Sequence, residues 1–236
     1  MHARTKVIII SLVSVLAVGA IAVVAAPNVY RMMFTSPAEP VPTLSADDSA
    51  LRLTDVRALT TEEVSGTWIV GQGSSAGYRV DELLNGEPFT VVGSSDSVRG
   101  SLVVSGLTLE SAEFEIDVAT ITTDNAQRDR FFQQQAIDTS VHPTATFVLS
   151  ESVTPESAPE TGEVIDQTLM GELTIAGVTQ PVTFIAQVRS DGENAEIAGQ
   201  IPITFADFGI TAPSLGFVVV EPTGFVEFSL VIQRTE

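Results

Sequence analysis

The stretch LMGELTIAGVTQPVTFIAQV, residues 169–188, decides the fold. Leu169, Gly171, Leu173 and Ile175 share one parity, and so do Val182, Phe184, Ala186 and Val188. Period two marks a strand with one buried face, because successive side chains point to opposite sides of a sheet. The intervening AGVTQP predicts a turn, with Pro181 at the entry of the second strand. The stretch therefore reads as an antiparallel hairpin.

The same pattern extends outward. Phe114-Glu115-Ile116-Asp117-Val118 alternates apolar and acidic residues, while Ile197, Gly199, Ile201, Ile203 and Phe205 form another row. Val226, Phe228, Leu230 and Ile232 form the last. Turns are expected at Asn85-Gly86, Ser190-Asp191-Gly192 and Pro222-Thr223-Gly224, and Ser152–Asp166 has the composition of an exposed acidic loop. From Gly66 onward this amounts to about eight strands with one buried face, an all-β antiparallel barrel or sandwich. Parity places Phe114, Ile116, Val118, Phe147, Leu149, Leu173, Ile175, Phe184, Val188, Phe205 and Phe228 inward. Such rows suit a filled core and an apolar lumen equally well.

DNAQRDRFFQQQ, starting at Asp124, breaks the alternation. Asp124 and Gln127 have capping-box spacing, with Asp124 as the cap. Helical steps of about 100° put Phe131, Phe132, Gln135 and Ala136 around one face, with Arg128 near its centre and Asp129 on its flank. Arg130, Gln133 and Gln134 point away. An inward guanidinium must find an acceptor, so Arg128 and Asp129 are read as a structural clamp holding a short helical cap to one end of the domain. Phe131 and Phe132 join the inward candidates.

The N-terminus reads differently. Val7–Ala26 is 20 residues without a charge, long enough to cross a bilayer as a helix. Arg4 and Lys6 precede it, which by the positive-inside bias keeps the N-terminus cytoplasmic and exports the rest. Val24-Ala25-Ala26 would pass as a signal-peptide cleavage site, but the run exceeds an ordinary signal core and continues into Tyr30, Met32, Met33 and Phe34. An uncleaved anchor is the expectation. The implied organisation is a cytoplasmic tip over 1–6, a transmembrane helix over 7–26, a juxtamembrane and Pro-rich flexible stalk over 27–63, and a β-domain over 64–236.

Charge narrows the function. Setting aside Arg4, Lys6 and Arg31 leaves 8 basic residues against 30 acidic ones, a formal charge of −22 for the exported part. That field repels nucleic acid, and no basic stripe interrupts it. With no cysteine there is no disulfide or thiol chemistry. Gly73-Ser74-Ser75-Ala76-Gly77 matches the G-x-S-x-G elbow, but extended-type sequence follows where that elbow needs a helix. His142 is the single exported histidine, so a hydrolase built on Ser75 and His142 has little support. No His/Cys cluster indicates a metal, and the acidic pairs Asp47-Asp48, Glu62-Glu63 and Asp81-Glu82 lack calcium-loop spacing.

Three ordered motifs carry a resemblance. They are Ala126-Gln127-Arg128-Asp129 followed by His142-Pro143-Thr144-Ala145-Thr146-Phe147, then Gly171–Val182, then Asp207-Phe208-Gly209-Ile210. Together, over roughly Gly66 to Arg234, they resemble the YceI-like family of lipocalin-like, polyisoprenoid-binding envelope proteins. The anchor and Gly77–Glu82 resemble its membrane-tethered variant from high-GC Gram-positive bacteria. One departure is the entry strand, which keeps a serine but lacks the family's histidine. The resemblance implies an eight-stranded antiparallel lipocalin-like β-barrel with one short capping helix, following the transmembrane helix and stalk. It also implies non-catalytic binding of an isoprenoid lipid or quinone in an apolar lumen, with no other cofactor and no metal. The expected location is the cell membrane, single-pass, with the barrel extracytoplasmic. An envelope stress or protein-interaction module with a filled barrel is the alternative, its protein partner unspecified.

Overall fold

A computed structural model describes residues 38–45, 56–84, 86–214 and 218–235. The expected transmembrane helix at 7–26 lies outside the described residues, among which no helix is long and apolar enough to cross a membrane.

Ten strand segments occur in chain order: β1 Gly66–Val70, β2 Ser75–Leu84, β3 Glu87–Ser95, β4 Val98–Ser105, β5 Thr108–Asp117, β6 Thr144–Leu149, β7 Ile165–Ile175, β8 Val178–Ser190, β9 Asn194–Thr204 and β10 Val218–Arg234. All pairings are antiparallel, and β1 pairs both β4 and β10, closing the sheet into a ring. The ten segments make eight staves. β2 continues β1 along the same edge of β10, with Val70 opposite Ile232 and Ser75 opposite Ser229. β3 leads into β4 in the same way, pairing β2 while β4 pairs β1. At the first joint Ser74 fills the broken ladder: its hydroxyl accepts from Val231 N at 3.0 Å and donates to Gly71 O at 2.8 Å. The Gly73–Gly77 run thus sits at a joint between strands rather than at a nucleophile elbow. Gly77 is required there because a Cβ would lie 1.9 Å from Gly93 O.

Two expected turns differ in detail. β7 and β8 are joined by Ala176-Gly177 alone, with φ of 50° and 75°, and the strand resumes at Val178 before Pro181. Positive φ at both positions is what a two-residue type I′ hairpin requires. Pro222-Thr223-Gly224 is not a turn: it lies within β10, where the register against β2 shifts between Val220 and Gly224. A bulge absorbs the proline that a regular central strand could not.

The core runs through the ring. Trp68, Leu102, Phe147, Leu173, Phe184, Leu230 and Ile232 are buried inside it, joined at one end by Val118, Ile121, Ile137 and Phe208. Phe147, Phe184 and Phe228 meet edge to face, with centroids 5.3 and 5.7 Å apart.

The expected stalk is partly a piece of the wall. Within Ala38–Ser45, Glu39 O accepts from Arg79 Nη2 at 2.7 Å, Leu44 N donates to Gln187 Oε1 at 2.9 Å, and Ser45 O accepts from Arg189 Nη1 at 2.8 Å. This strap seals ion pairs on the outer face: Arg189–Glu196 at 2.5 Å and Arg79–Glu227 at 2.5 Å. Residues 56–63 are docked as well. Leu59 is buried and its N–H donates to Pro159 O at 2.9 Å, while the short helix α1, Thr61–Val64, carries a capping box from Thr60 and Glu63. The stalk boundary at 63 therefore falls inside packed structure.

Candidate functional site

One end of the barrel carries the polar and aromatic groups that the alternation leaves unexplained. Helix α2, Ala126–Phe131, passes directly into a π-helical turn, Phe132–Ala136. Its cap is Asn125, not Asp124: the Asn125 carboxamide accepts from Gln127 N at 2.9 Å and Arg128 N at 3.4 Å. Asp124 instead pairs with Arg128 at 2.8 Å, one turn along. The π turn alters the helical phase after Phe131. Gln135, placed inward by a uniform helix, is exposed, while Gln133 turns in and donates to Ala119 O at 3.0 Å. Phe132 and Ala136 pack on the core, and Arg130 and Gln134 face solvent.

Arg128 and Asp129 tie α2 to its surroundings in different ways. Asp129 Oδ1 accepts from the backbone N and the hydroxyl of Thr123, at 2.9 and 2.7 Å. Arg128 reaches β2, where its Nη2 lies 3.4 Å from Glu82 Oε1. Its guanidinium carbon stands 6.0 Å from the centroid of Phe89 on β3, a cation–π distance. Tyr78 of β2 stacks on Phe132 at 5.0 Å.

Glu82 is the residue that sequence reasoning missed. It is buried, and it shares parity with Tyr78 and Val80, so it belongs to the inward row. Burial pushes its carboxyl above the usual carboxylate range, with Arg128 pulling the other way. Burial also raises the Tyr78 hydroxyl. The signal was present in GYRVDE, where Glu82 continues an alternating apolar row. The cluster sets one guanidinium, Arg128, against two carboxyls, Asp124 and Glu82, the second of which burial favours in its neutral form.

Most of the inward candidates line one continuous surface. Val118, Phe147, Leu173, Ile175 and Phe184 are buried in the core, and Phe114, Ile116, Phe132, Leu149, Val188 and Phe228 pack against it while keeping accessible surface. Val118 reaches the core from a 3-10 turn after β5 rather than from the strand itself. Phe131 and Phe205 are half-buried outside this cluster. β9 ends at Thr204, so Phe205 sits in a 3-10 turn and lies over Gly224 instead of extending the row. Aromatic rings lie over wall glycines: a Cβ on Gly93, Gly100, Gly171 or Gly199 would come within 3 Å of Tyr78, Phe114, Phe147 or Phe228 respectively. Rings folded onto glycines cover wall backbone that has no side chain of its own.

His142 does not assemble with a nucleophile here; its ring packs on the β7–β8 turn, 2.6 Å from where a Gly177 Cβ would stand. Among the described residues no group of three His, Cys, Asp or Glu side chains is arranged to hold a metal.

The fold has solved counterparts. A polyisoprenoid binding domain from Saccharophagus degradans, implicated in plant cell wall breakdown, superposes with a TM-score of 0.56 at 16% identity, covering 72% of this chain and 99% of that one. BcnA of Burkholderia cenocepacia superposes with a TM-score of 0.50 at 21% identity, covering 65% and 95%. In sequence, a UPF0312 protein of Pseudomonas aeruginosa strain LESB58 is 30% identical over 108 residues. That match takes in 43% of this chain and 52% of the relative, so the chain spans about half the length of the curated relatives it matches. The model of the YceI-like domain matches residues 69–232, nearly the whole ring from β1 to β10, and the chain belongs to the YceI-like domain family.

Proposed function

We propose that this protein is a membrane-tethered, extracytoplasmic, non-catalytic carrier that holds the tail of an isoprenoid lipid or quinone inside its barrel. The observation that carries the reading is incomplete filling. Phe114, Ile116, Leu149, Val188 and Phe228 lie on the inner rows of a closed barrel yet keep accessible surface, and no large side chain among the described residues is less than 2% exposed. A solid core would bury such residues completely. An eight-stranded barrel has room for one slender ligand. Each buried CH₂ contributes about 0.8 kcal/mol, so one five-carbon unit contributes about 4 kcal/mol before ordering and association costs. The solved polyisoprenoid binding domain supports the choice of ligand class. The apolar run Val7–Ala26 and its flanking Arg4 and Lys6 support a single-pass anchor with a cytoplasmic N-terminus.

In this reading the aromatic end of the barrel at Tyr78, Phe89 and Phe132, held in place by the Arg128 clamp, meets the ligand's polar end, and the inner rows meet its tail. Trp68, the single tryptophan, is buried in the core and reports on occupancy. Titrating the full chain with a prenyl-tailed benzoquinone is expected to quench Trp68 saturably, with competition by a prenol that has no quinone ring. Absence of saturable uptake contradicts the proposal.

A further inference from the structure

The wall of the barrel is not hydrogen-bonded all the way round. β8 and β9 pair only from Ala186 to Ser190 against Ala195 to Gly199. Beyond Gly199, Val178–Ile185 is joined to β7 alone and Gln200–Thr204 to β10 alone. A cavity of about 370 Å³ lies in this split, within the range of small-molecule sites. Gln180, Pro181 and Val182 form one bank, and Pro202, Ile203 and Thr204 the other. Its floor includes Phe208, which belongs to the buried core, so the cavity reaches from the outer surface to the inner rows.

Three features show that the split belongs to the fold. Pro181 and Pro202 stand on opposite banks, and neither can donate an N–H to close the ladder. The 3-10 turn Phe205–Phe208, which includes the start of the Asp207-Phe208-Gly209-Ile210 motif, packs against β8, β9 and β10 and lines the cavity through Asp207 and Phe208. One side-chain hydrogen bond ties that turn to β8, from Gln180 Nε2 to Asp207 O at 2.7 Å. The outer rim carries more exposed apolar surface than a barrel wall normally does: beside the exposed Thr204, Asp207 and Thr223, Pro181 and Pro202 are exposed, Phe225 is 37% exposed, and nearby Ile185 is 59% exposed.

We propose that the β8–β9 split is a side door through which the apolar chain of the ligand passes between the outside and the lumen, with the Phe205–Phe208 turn as its plug. This rests on the reading of the barrel as an isoprenoid carrier. The chain in transit is a methyl-branched prenyl chain, which needs no polar contact and can slide along Pro181, Pro202, Phe225 and Phe208. Entry through the wall leaves the Glu82–Arg128 end closed, so that the polar cluster there need not open for exchange.

The test bridges the banks. Continuing the β8–β9 register places Thr183 opposite Pro202, both exposed, and the chain has no native cysteine to interfere. Full-length Thr183→Cys/Pro202→Cys is reacted with a short bismaleimide, and quinone exchange is followed through Trp68 in stopped flow. Bridging is expected to slow both association and dissociation by about ten-fold or more at nearly unchanged Kd, because a gate changes the barrier and not the bound state. Gln180→Ala, which frees the plug, is expected to speed both. Unchanged rates in the bridged protein and in Gln180→Ala, with the unmodified protein binding normally, overturn the side door and leave the carrier reading standing. No uptake by the unmodified protein overturns both.

Discussion

Along their own length β8 and β9 form two different walls. In one half, Ala186–Ser190 and Ala195–Gly199 are zipped, and the strap Ala38–Ser45 covers the outer face over the buried Arg189–Glu196 pair. In the other half the banks separate around a cavity, with a proline on each and apolar side chains on the rim. Hydrophobic alternation does not distinguish them, because the inward row Val182, Phe184, Ala186, Val188 runs through both. What differs is the supply of N–H donors and the presence of an outer cover. Alternation sets which face is inside, while backbone donors decide whether the wall closes.

The largest effect is expected from breaking the zipped half. Arg189→Ala leaves Glu196 in a buried site built around a guanidinium, and should cost about 3–5 kcal/mol in denaturant unfolding. Amide exchange should rise at Ala195–Gly199 before it rises in β5 and β6. A loss confined to a few tenths of a kcal/mol would mean that neither the ion pair nor the Arg189–Ser45 bond to the strap holds this half together.

A smaller effect is expected at the other polar latch. Arg128→Ala removes charged contacts to Asp124 and Glu82 in a half-buried setting, and should cost about 1.5–3 kcal/mol. Selectivity among quinone headgroups should change less than stability does. The reverse result would make Arg128 a ligand-contacting residue and not a clamp.

Sharpening the open half should hardly affect stability. Pro181→Thr/Pro202→Thr restores two donors and should shift stability by no more than about 1 kcal/mol. The new amides at 181 and 202 should gain exchange protection, and quinone exchange should slow. Fast exchange at both positions would show that the plug, and not the prolines, keeps the banks apart.

The smallest effect is in the acid limb, at α1, which packs on the β8–β9 turn at Gly192. Pairing with Arg57 and the backbone N–H of Thr60 hold the Glu63 carboxyl down from 4.5 to about 2. A lowered folded-state pKa stabilises the protein above the unfolded value and ceases to do so as pH falls through the folded one. Glu63→Gln should therefore flatten stability between about pH 4.5 and 2. Glu82 acts in the opposite sense: its pKa is raised, so its contribution is present when it is protonated and is lost as pH rises through that raised value.

The barrel was legible because period two survives in β5, β7, β8, β9 and β10, where a single buried face dictates apolar residues at every second position. The inward rows followed from it. The strap was not legible: SPAEPVPTLSADDSA has the composition of a linker, and only the outward Arg79, Gln187 and Arg189 give its backbone partners. Parity places those residues, with Glu196 and Glu227, on the outer face, and parity carries no information about a second layer. The split was hidden for the same reason, although Pro181 and Pro202 were visible as residues that a closed ladder tolerates poorly. At α2 a uniform helix put Gln135 in and Gln133 out, and the π turn reversed them.

The central claim is that the barrel holds a prenyl chain. It is tested most directly by organic extraction of the full chain purified from membranes of cells that make isoprenoid lipids, followed by mass spectrometry. The account predicts a co-purifying isoprenoid lipid or quinone approaching one per protein. Repeated recovery of protein with no such lipid, together with no uptake of added quinone, would contradict it.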